Sequence, residues 1–290
     1  MRRKRWPRRR APCRLGPALL CGALLALASA CPRPSAGFGP TPFEAASEVL
    51  EAMAKTQAAP DHVVGEAKVH LVLPGGTSGG ADHFVAAMRP DSLRLDTLGF
   101  FGTPLGMILV HRGTLTVWHV QAGQAFRGPA TAESLGLVAA IDLGPADAVA
   151  ALLGTPRLLE GRRHLDLDQE ARRYVVTIEG AAGLRQELRI SPEDHLLREV
   201  VWWKDGEARG RLSYARYRRG GRAFFPYELR YEDASGARLE LEWREVHVDG
   251  ADFDPSLFEV ELPDAVEVRP LDPAQALPPL PAADEGAPPG

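Results

Sequence analysis

Cysteine is nearly absent from this sequence, with three in 290 residues at positions 13, 21 and 31. None falls in the long stretch of alternating apolar and polar residues that follows, so that stretch has no disulfide framework and no cysteine-ligated metal site. Its stability must come from a hydrophobic core. No apolar run reaches the ~20 residues that a membrane-crossing helix needs; the longest, 17–30, has fourteen. Acidic residues are missing from the first thirty positions, which hold eight of the 34 Lys and Arg. The eight histidines are scattered, with no His-x-x-x-His pair, and zinc needs clustered ligands. No cofactor is expected.

What is present begins with a leader. Arg2, Arg3, Lys4, Arg5, Arg8, Arg9, Arg10 and Arg14 precede a short apolar run that ends in small residues, the pattern of a secretory signal. Leu27-Ala28-Ser29-Ala30-Cys31 resembles the lipobox of bacterial lipoproteins, in which the cysteine is acylated and becomes the first residue. The resemblance implies a signal peptide over 1–30, lipidation at Cys31 and a short linker over 31–40. The alternative is a soluble exported protein with a stray thiol. After the cut 26 Lys and Arg face 38 Asp and Glu, a net charge of −12. Such a surface argues against nucleic acid and against a cationic membrane-binding body. One acyl chain holds a membrane only marginally, at ~0.8 kcal/mol per buried CH₂, and the three chains typical of this lipoprotein class meet that need. Pro32 replaces the aspartate that retains many lipoproteins in the inner membrane, so the expected place is the outer membrane, facing the periplasm.

Thr41-Pro42-Phe43-Glu44 has the capping-box spacing with proline at the first helical position, and Phe43, Ala46, Val49, Leu50 and Met53 follow at helical spacing. One amphipathic helix is expected over 42–57. From residue 61 the period becomes two. Alternation predicts twelve strands, near 61–73, 81–89, 92–98, 107–111, 115–120, 163–168, 173–179, 184–190, 196–204, 208–217, 223–232 and 237–248. Connections are hairpin-short, with Gly75-Gly76, Asp205-Gly206 and Gly220-Gly221 at turns, so the sheet should be antiparallel. Residues 131–153 break the series with helical spacing (Leu135, Val138, Ile141, Val149, Leu152, Leu153) and Pro145 opening the second piece. A body over 41–265 and a Pro/Ala-rich disordered tail over 266–290 complete the expected organisation.

So many strands do not stay flat; they curl toward a barrel. The expected fold is mainly β (α+β), a curved antiparallel sheet forming an incomplete barrel with a helical lid. Its inner wall would be apolar, with Val69, Leu71, Leu93, Leu95, Trp118, Trp202, Tyr227, Leu229, Leu239, Leu241 and Trp243 as candidates to line a lipid cavity.

The order of elements resembles the Lol lipoprotein-localisation family, the carrier LolA and the receptor LolB. The resemblance rests on 93–96 leading into Gly99-Phe100-Phe101-Gly102-Thr103-Pro104-Leu105-Gly106, on Met107–Val110, on Trp118, on the helical stretch 141–154, on Leu241-Glu242-Trp243, and on Ser256-Leu257-Phe258 before Leu262-Pro263. It implies an unclosed barrel whose hollow takes lipoprotein acyl chains. It also implies that Leu105, flanked by Phe100 and Phe101, belongs to a connection that inserts into the membrane. The chain departs from the receptor pattern in its extra late strands and Pro-rich tail.

Other motifs are weighed against plainer readings. Gly76-Thr77-Ser78-Gly79-Gly80 matches G-x-S-x-G, but a nucleophile elbow needs a strand before it and a helix after it; both flanks here alternate as strands. His164, Asp166 and Asp168 share one strand face, read as solvated and not as a metal site. Asp249, Asp252 and Asp254 lack calcium-loop spacing. Arg216, Arg218, Arg219 and Arg222 surround a hairpin tip; they would hold an anionic headgroup or a carrier's acidic rim, or simply blunt the tip against pairing. Phe100, Phe101 and Leu105 either plug the cavity or protrude toward lipid. No enzyme is expected. The leading expectation is a monomeric outer-membrane lipoprotein that binds lipid or lipoprotein acyl chains and meets a periplasmic lipoprotein carrier. The alternative is a structural or sensory envelope lipoprotein of the same fold.

Overall fold

The computed structural model describes residues 43–272, apart from positions 140 and 221 and the side chain of Phe100. The leader, Cys31, the linker 31–40, the Thr41-Pro42 helix start and residues 273–290 lie outside the described residues. The alternating stretches become β1 (His62–Val72), β2 (Ser78–Met88), β3 (Ser92–Leu98), β4 (Pro104–His111), β5 (Thr114–His119) and β6 (Gln124–Pro129), then β7 (Arg162–Asp168), β8 (Arg173–Glu179), β9 (Leu184–Ile190), β10 (Leu197–Lys204), β11 (Glu207–Gly220), β12 (Ala223–Asp233), β13 (Arg238–Val248) and β14 (Glu267–Pro270). All fourteen form one sheet, in the order β14-β6-β5-β4-β3-β2-β1-β13-β12-β11-β10-β9-β8-β7. Neighbours pair antiparallel except β14 with β6, which is parallel.

Two strands were not expected from alternation. β6 carries Arg127, Gly128 and Pro129 in six residues and has no clean period. β14 lies inside the expected tail 266–290, which is corrected here: Glu267–Pro270 pairs with Gln124–Arg127. Its four residues are all exposed, so backbone pairing and not side-chain burial makes it a strand. The amphipathic segment becomes α1 (Ala46–Thr56), where the Glu48 carboxylate accepts from the N–H groups of Glu44 (2.8 Å) and Ala45 (3.2 Å). The insertion becomes α2 (Ala132–Ala139) and α3 (Pro145–Leu152).

Curvature follows from burial. Val63, Ala67, Val69 and Val85 of β1–β2 share one core with Ile108 and Val117 on one side and with Leu229, Leu212, Val200 and Val176 on the other. Six strand steps separate β4 from β11, ~29 Å in a flat sheet at ~4.8 Å per step, yet Ile108 and Leu212 line the same small void. The sheet therefore wraps around α1, α2 and α3. A bulge helps at the β1–β13 seam: Glu66 faces Glu245 but Ala67 faces Trp243, so Arg244 is extra. That insertion keeps Leu239, Leu241 and Trp243 and then Val246 and Val248 on the inner face. Gly65 sits opposite it, where a Cβ would come within 2.1 Å of the Glu245 carbonyl oxygen.

The outer face has its own cover. Residues after β13 run across it and bury Phe258, with Phe253, Leu257 and Val260, against Ala86, Met107, Leu109 and Trp118. Arg94 pins this strap by donating to the Leu257 carbonyl (2.8 Å) while its fork holds Asp96 at 2.7 Å.

Candidate functional site

The registers sort the connections between two ends of the sheet. One end, called the mouth, carries the β1–β2, β3–β4, β5–β6, β8–β9, β10–β11 and β12–β13 turns. The opposite end carries the β2–β3, β4–β5, β7–β8, β9–β10 and β11–β12 turns. α1 belongs to that opposite end: Phe43 packs edge-on against Tyr174 and His195, and Gln57 bridges to Phe224.

Between the inner wall and α2–α3 lies a wholly apolar void of about 60 Å³. Its walls are Val69, Leu93, Leu95, Ile108, Leu212, Leu229, Tyr231, Leu239 and Leu241 from strands, and Leu135, Ala139, Ile141, Leu143, Ala148, Ala151 and Leu152 from the helical insertion. At about 60 Å³ it is well below the ~300–1,000 Å³ of small-molecule pockets, so it takes no fatty chain while the helices stay down. The rest of the hollow is filled by Val49 of α1, Leu135 of α2, and Val149 and Leu153 at α3, all fully buried. Two tyrosines latch the lid. Tyr214 donates its hydroxyl to the Ala151 carbonyl (3.0 Å) and Tyr231 to the Asp142 carbonyl (3.4 Å). Burial raises both phenol pKa values, which keeps them protonated as donors.

Beside the void, and sharing Leu143 and Tyr231 with it, a cleft of about 320 Å³ opens toward the mouth between α3, the segment 157–159, Trp202 and Gly210. It is mixed in character, with Asp142, Asp147, Arg157 and Arg209 among its walls. Exposed apolar side chains gather at the same end. Leu73, Phe101, Leu158, Leu184 and Val268 are all there, while exposed Leu137 is on α2.

The inner face turns polar near the mouth. His83, Thr97 and His119 lie in one cross-strand row, with Gly106 between the last two. His83 Nδ1 donates to the Ala81 carbonyl (3.1 Å), and its Nε2 lies 3.2 Å from the Thr97 hydroxyl. Burial lowers the pKa of both histidines.

Of the sequence-selected cavity residues, Val69, Leu93, Leu95, Leu229, Leu239 and Leu241 line the void. Trp202 lines the cleft. Leu71 pairs with Leu239 on the same face beyond both, and Tyr227 and Trp243 pack in the core around Phe225. Trp118 is a correction: Leu115, Val117 and His119 take the inner positions of β5, so Trp118 points outward into the strap cluster. Alternation misled there because the strap makes both faces of β4–β5 apolar. The alanines of α3 and Tyr231 were missed as wall residues; the helical period and the alternation of β12 carried that signal. Phe101 is fully exposed at 101% with φ +64°. Leu105 is half-buried and folds over Gly99, leaving 3.0 Å to a Cβ there.

The remaining motifs find plainer places. Ser78 opens β2 straight from a turn, with no helix after it. His164 and Asp166 pair at 3.3 Å on the exposed edge strand β7. Asp249 accepts from the N–H groups of Asp61 and His62, and Asp254 from that of Ser256. At the β11–β12 tip Arg216 pairs with Glu242, Arg218 stacks over Tyr227 (4.1 Å), and Arg219 lies over Phe224 (6.0 Å).

No protein-family model matches the sequence, and no curated protein does. Solved structures are similar in shape at low identity. A LolA superfamily protein from Nitrosomonas europaea is 14% identical, covering 74% of this chain and 98% of its own, with a TM-score of 0.48. A DUF1329 family protein from Desulfovibrio piger is 12% identical, covering 73% and 93%, with a TM-score of 0.49. A domain named for outer-membrane lipoprotein sorting, from Vibrio parahaemolyticus, is 11% identical, covering 73% and 94%, with a TM-score of 0.51. The fold of this chain is thus like that of the Vibrio domain, an open, mainly antiparallel sheet curved around a small helical insertion.

Proposed function

We propose that this chain is a non-catalytic envelope lipoprotein, anchored in the outer membrane through acylated Cys31 and facing the periplasm, that takes an acyl chain of a lipid or lipoprotein between the α2–α3 lid and the concave sheet. The observation that carries this reading is the wholly apolar void directly beneath a lid held by two tyrosine hydroxyls. The lipoprotein-sorting name of the Vibrio domain with the same fold supports it. For a chain to enter, the lid must swing out. Each buried CH₂ contributes ~0.8 kcal/mol, so twelve of them supply about 10 kcal/mol gross. That offsets the loss of Leu135, Ile141 and Leu152 from the wall, at ~1.5–3 kcal/mol each. The ligand thus substitutes for the lid's own side chains.

In this reading Phe101, at the mouth, is the residue presented to lipid during transfer, and Leu105 supports it. A monomer receiving cargo from a periplasmic carrier fits this arrangement. The second reading, a structural or sensory lipoprotein, is favoured by how much of the hollow is filled by the chain's own residues. Protein purified from cells should yield bound acyl lipid on extraction and a triacylated Cys31 by mass spectrometry. Lipid-free protein that also takes up no fluorescent fatty acid overturns acyl binding and leaves the second reading.

A further inference from the structure

The cleft at the mouth is mixed in character, unlike the apolar void it adjoins. Asp142, Asp147, Arg157 and Arg209 lie in it, yet it adjoins the apolar void through Leu143 and Tyr231. At about 320 Å³ it falls within the size of small-molecule pockets, ~300–1,000 Å³. Neither arginine is fully engaged. Arg157 faces Asp147 at 3.7 Å and Arg209 faces Glu207 at 3.5 Å, both at or beyond hydrogen-bond reach. Each guanidinium carries five donors in a planar fork suited to phosphate oxygens. The carboxylates of Asp142 and Asp147 accept only, so they suit a hydroxyl or ammonium donor on the same head.

From this juxtaposition we propose that the ligand is an amphiphile with a phosphate-bearing head, the head in the cleft against Arg157 and Arg209 and the tail under the lid. The proposal rests on the acyl-binding reading above and names the class of lipid that site takes. Tyr231 stands at the junction, its ring on the void and its hydroxyl on the lid's Asp142 carbonyl. Filling the cleft therefore acts on the latch that keeps the lid closed.

The test titrates the purified protein with three probes below their micelle concentrations: a lysophosphatidylglycerol, a monoacylglycerol of the same chain, and glycerol 3-phosphate. Lysophosphatidylglycerol should bind about tenfold more tightly than the monoacylglycerol, and glycerol 3-phosphate not measurably. In the Arg157→Ala/Arg209→Ala double variant the ratio of the two lipid affinities should fall to near one, with a thermal melt confirming that the variant is folded. Equal affinities in the wild-type chain overturn the head subsite while acyl binding stands. Glycerol 3-phosphate binding as tightly as the lipid makes the cleft a phosphate site independent of the tail, and overturns the proposal. If neither lipid binds, the acyl-binding reading falls and this proposal with it.

Discussion

Ala148→Val separates the void from the rest of the core. Ala148 sits on α3, 4% exposed, with the 60 Å³ void in front of it. Valine adds two methyl groups to the wall of that small space. Two buried methyls should stabilise by ~1.6 kcal/mol, less ~0.6 kcal/mol for a β-branched residue in a helix. The net gain of about 1 kcal/mol corresponds to a rise in Tm of ~2–4 °C for a domain of this size. Lipid uptake should fall at least tenfold, because the space that seeds chain insertion is narrowed. Differential scanning calorimetry and a fluorescent fatty-acid titration on the same sample read both effects. A more stable variant that binds lipid as well as wild type would show that the chain does not use this void. A less stable one would show that the void is not open in front of residue 148.

Gln57, 4% exposed, ties the end of α1 to the end of α3 and to β10: its amide donates to the Gly154 carbonyl and its oxygen accepts from the Leu197 N–H (3.1 Å). Gln57→Leu leaves a buried donor and acceptor without partners, a loss of ~2–5 kcal/mol, and Tm should drop by about 5–15 °C; a drop under ~2 °C would refute the bridge. His83 and His119 are held neutral below their ordinary pKa of 6.5, so the unfolded chain binds protons first as pH falls. Their contribution is complete above pH 6.5 and shrinks below it, chiefly through the more deeply buried His83. Urea melts between pH 7.5 and 5 should show this fall, and a His83→Gln/His119→Gln variant with the same slope would reject the assignment. Phe101→Glu should leave stability within ~0.5 kcal/mol, since the ring is exposed, but reduce transfer of bound lipid to vesicles several-fold; unchanged transfer removes the loop's role. Leu105→Glu is the poorer probe, because Leu105 packs on Gly99 and its loss adds a folding cost.

Alternation by itself determined that β1 to β5 and β7 to β13 are strands, that short turns make them antiparallel, and that 131–153 interrupts them as helices. These are local properties: a period of two or of 3.6 states which face is dry without reference to anything distant. It also identified Val69, Leu93, Leu95, Leu229, Leu239 and Leu241 as inner-wall residues. Tertiary structure decided the rest. β14 is a strand only because β6 offers an edge, and Trp118 faces outward because a strap from beyond residue 250 makes that side dry too. The size of the void was equally illegible, since it depends on how far α2 and α3 settle into the hollow once Tyr214 and Tyr231 find lid carbonyls. So was the charged cleft, whose arginines are 52 positions apart and meet only where the sheet curls. Sequence fixes the dryness of a face; the closeness of two faces is a property of the whole packed chain.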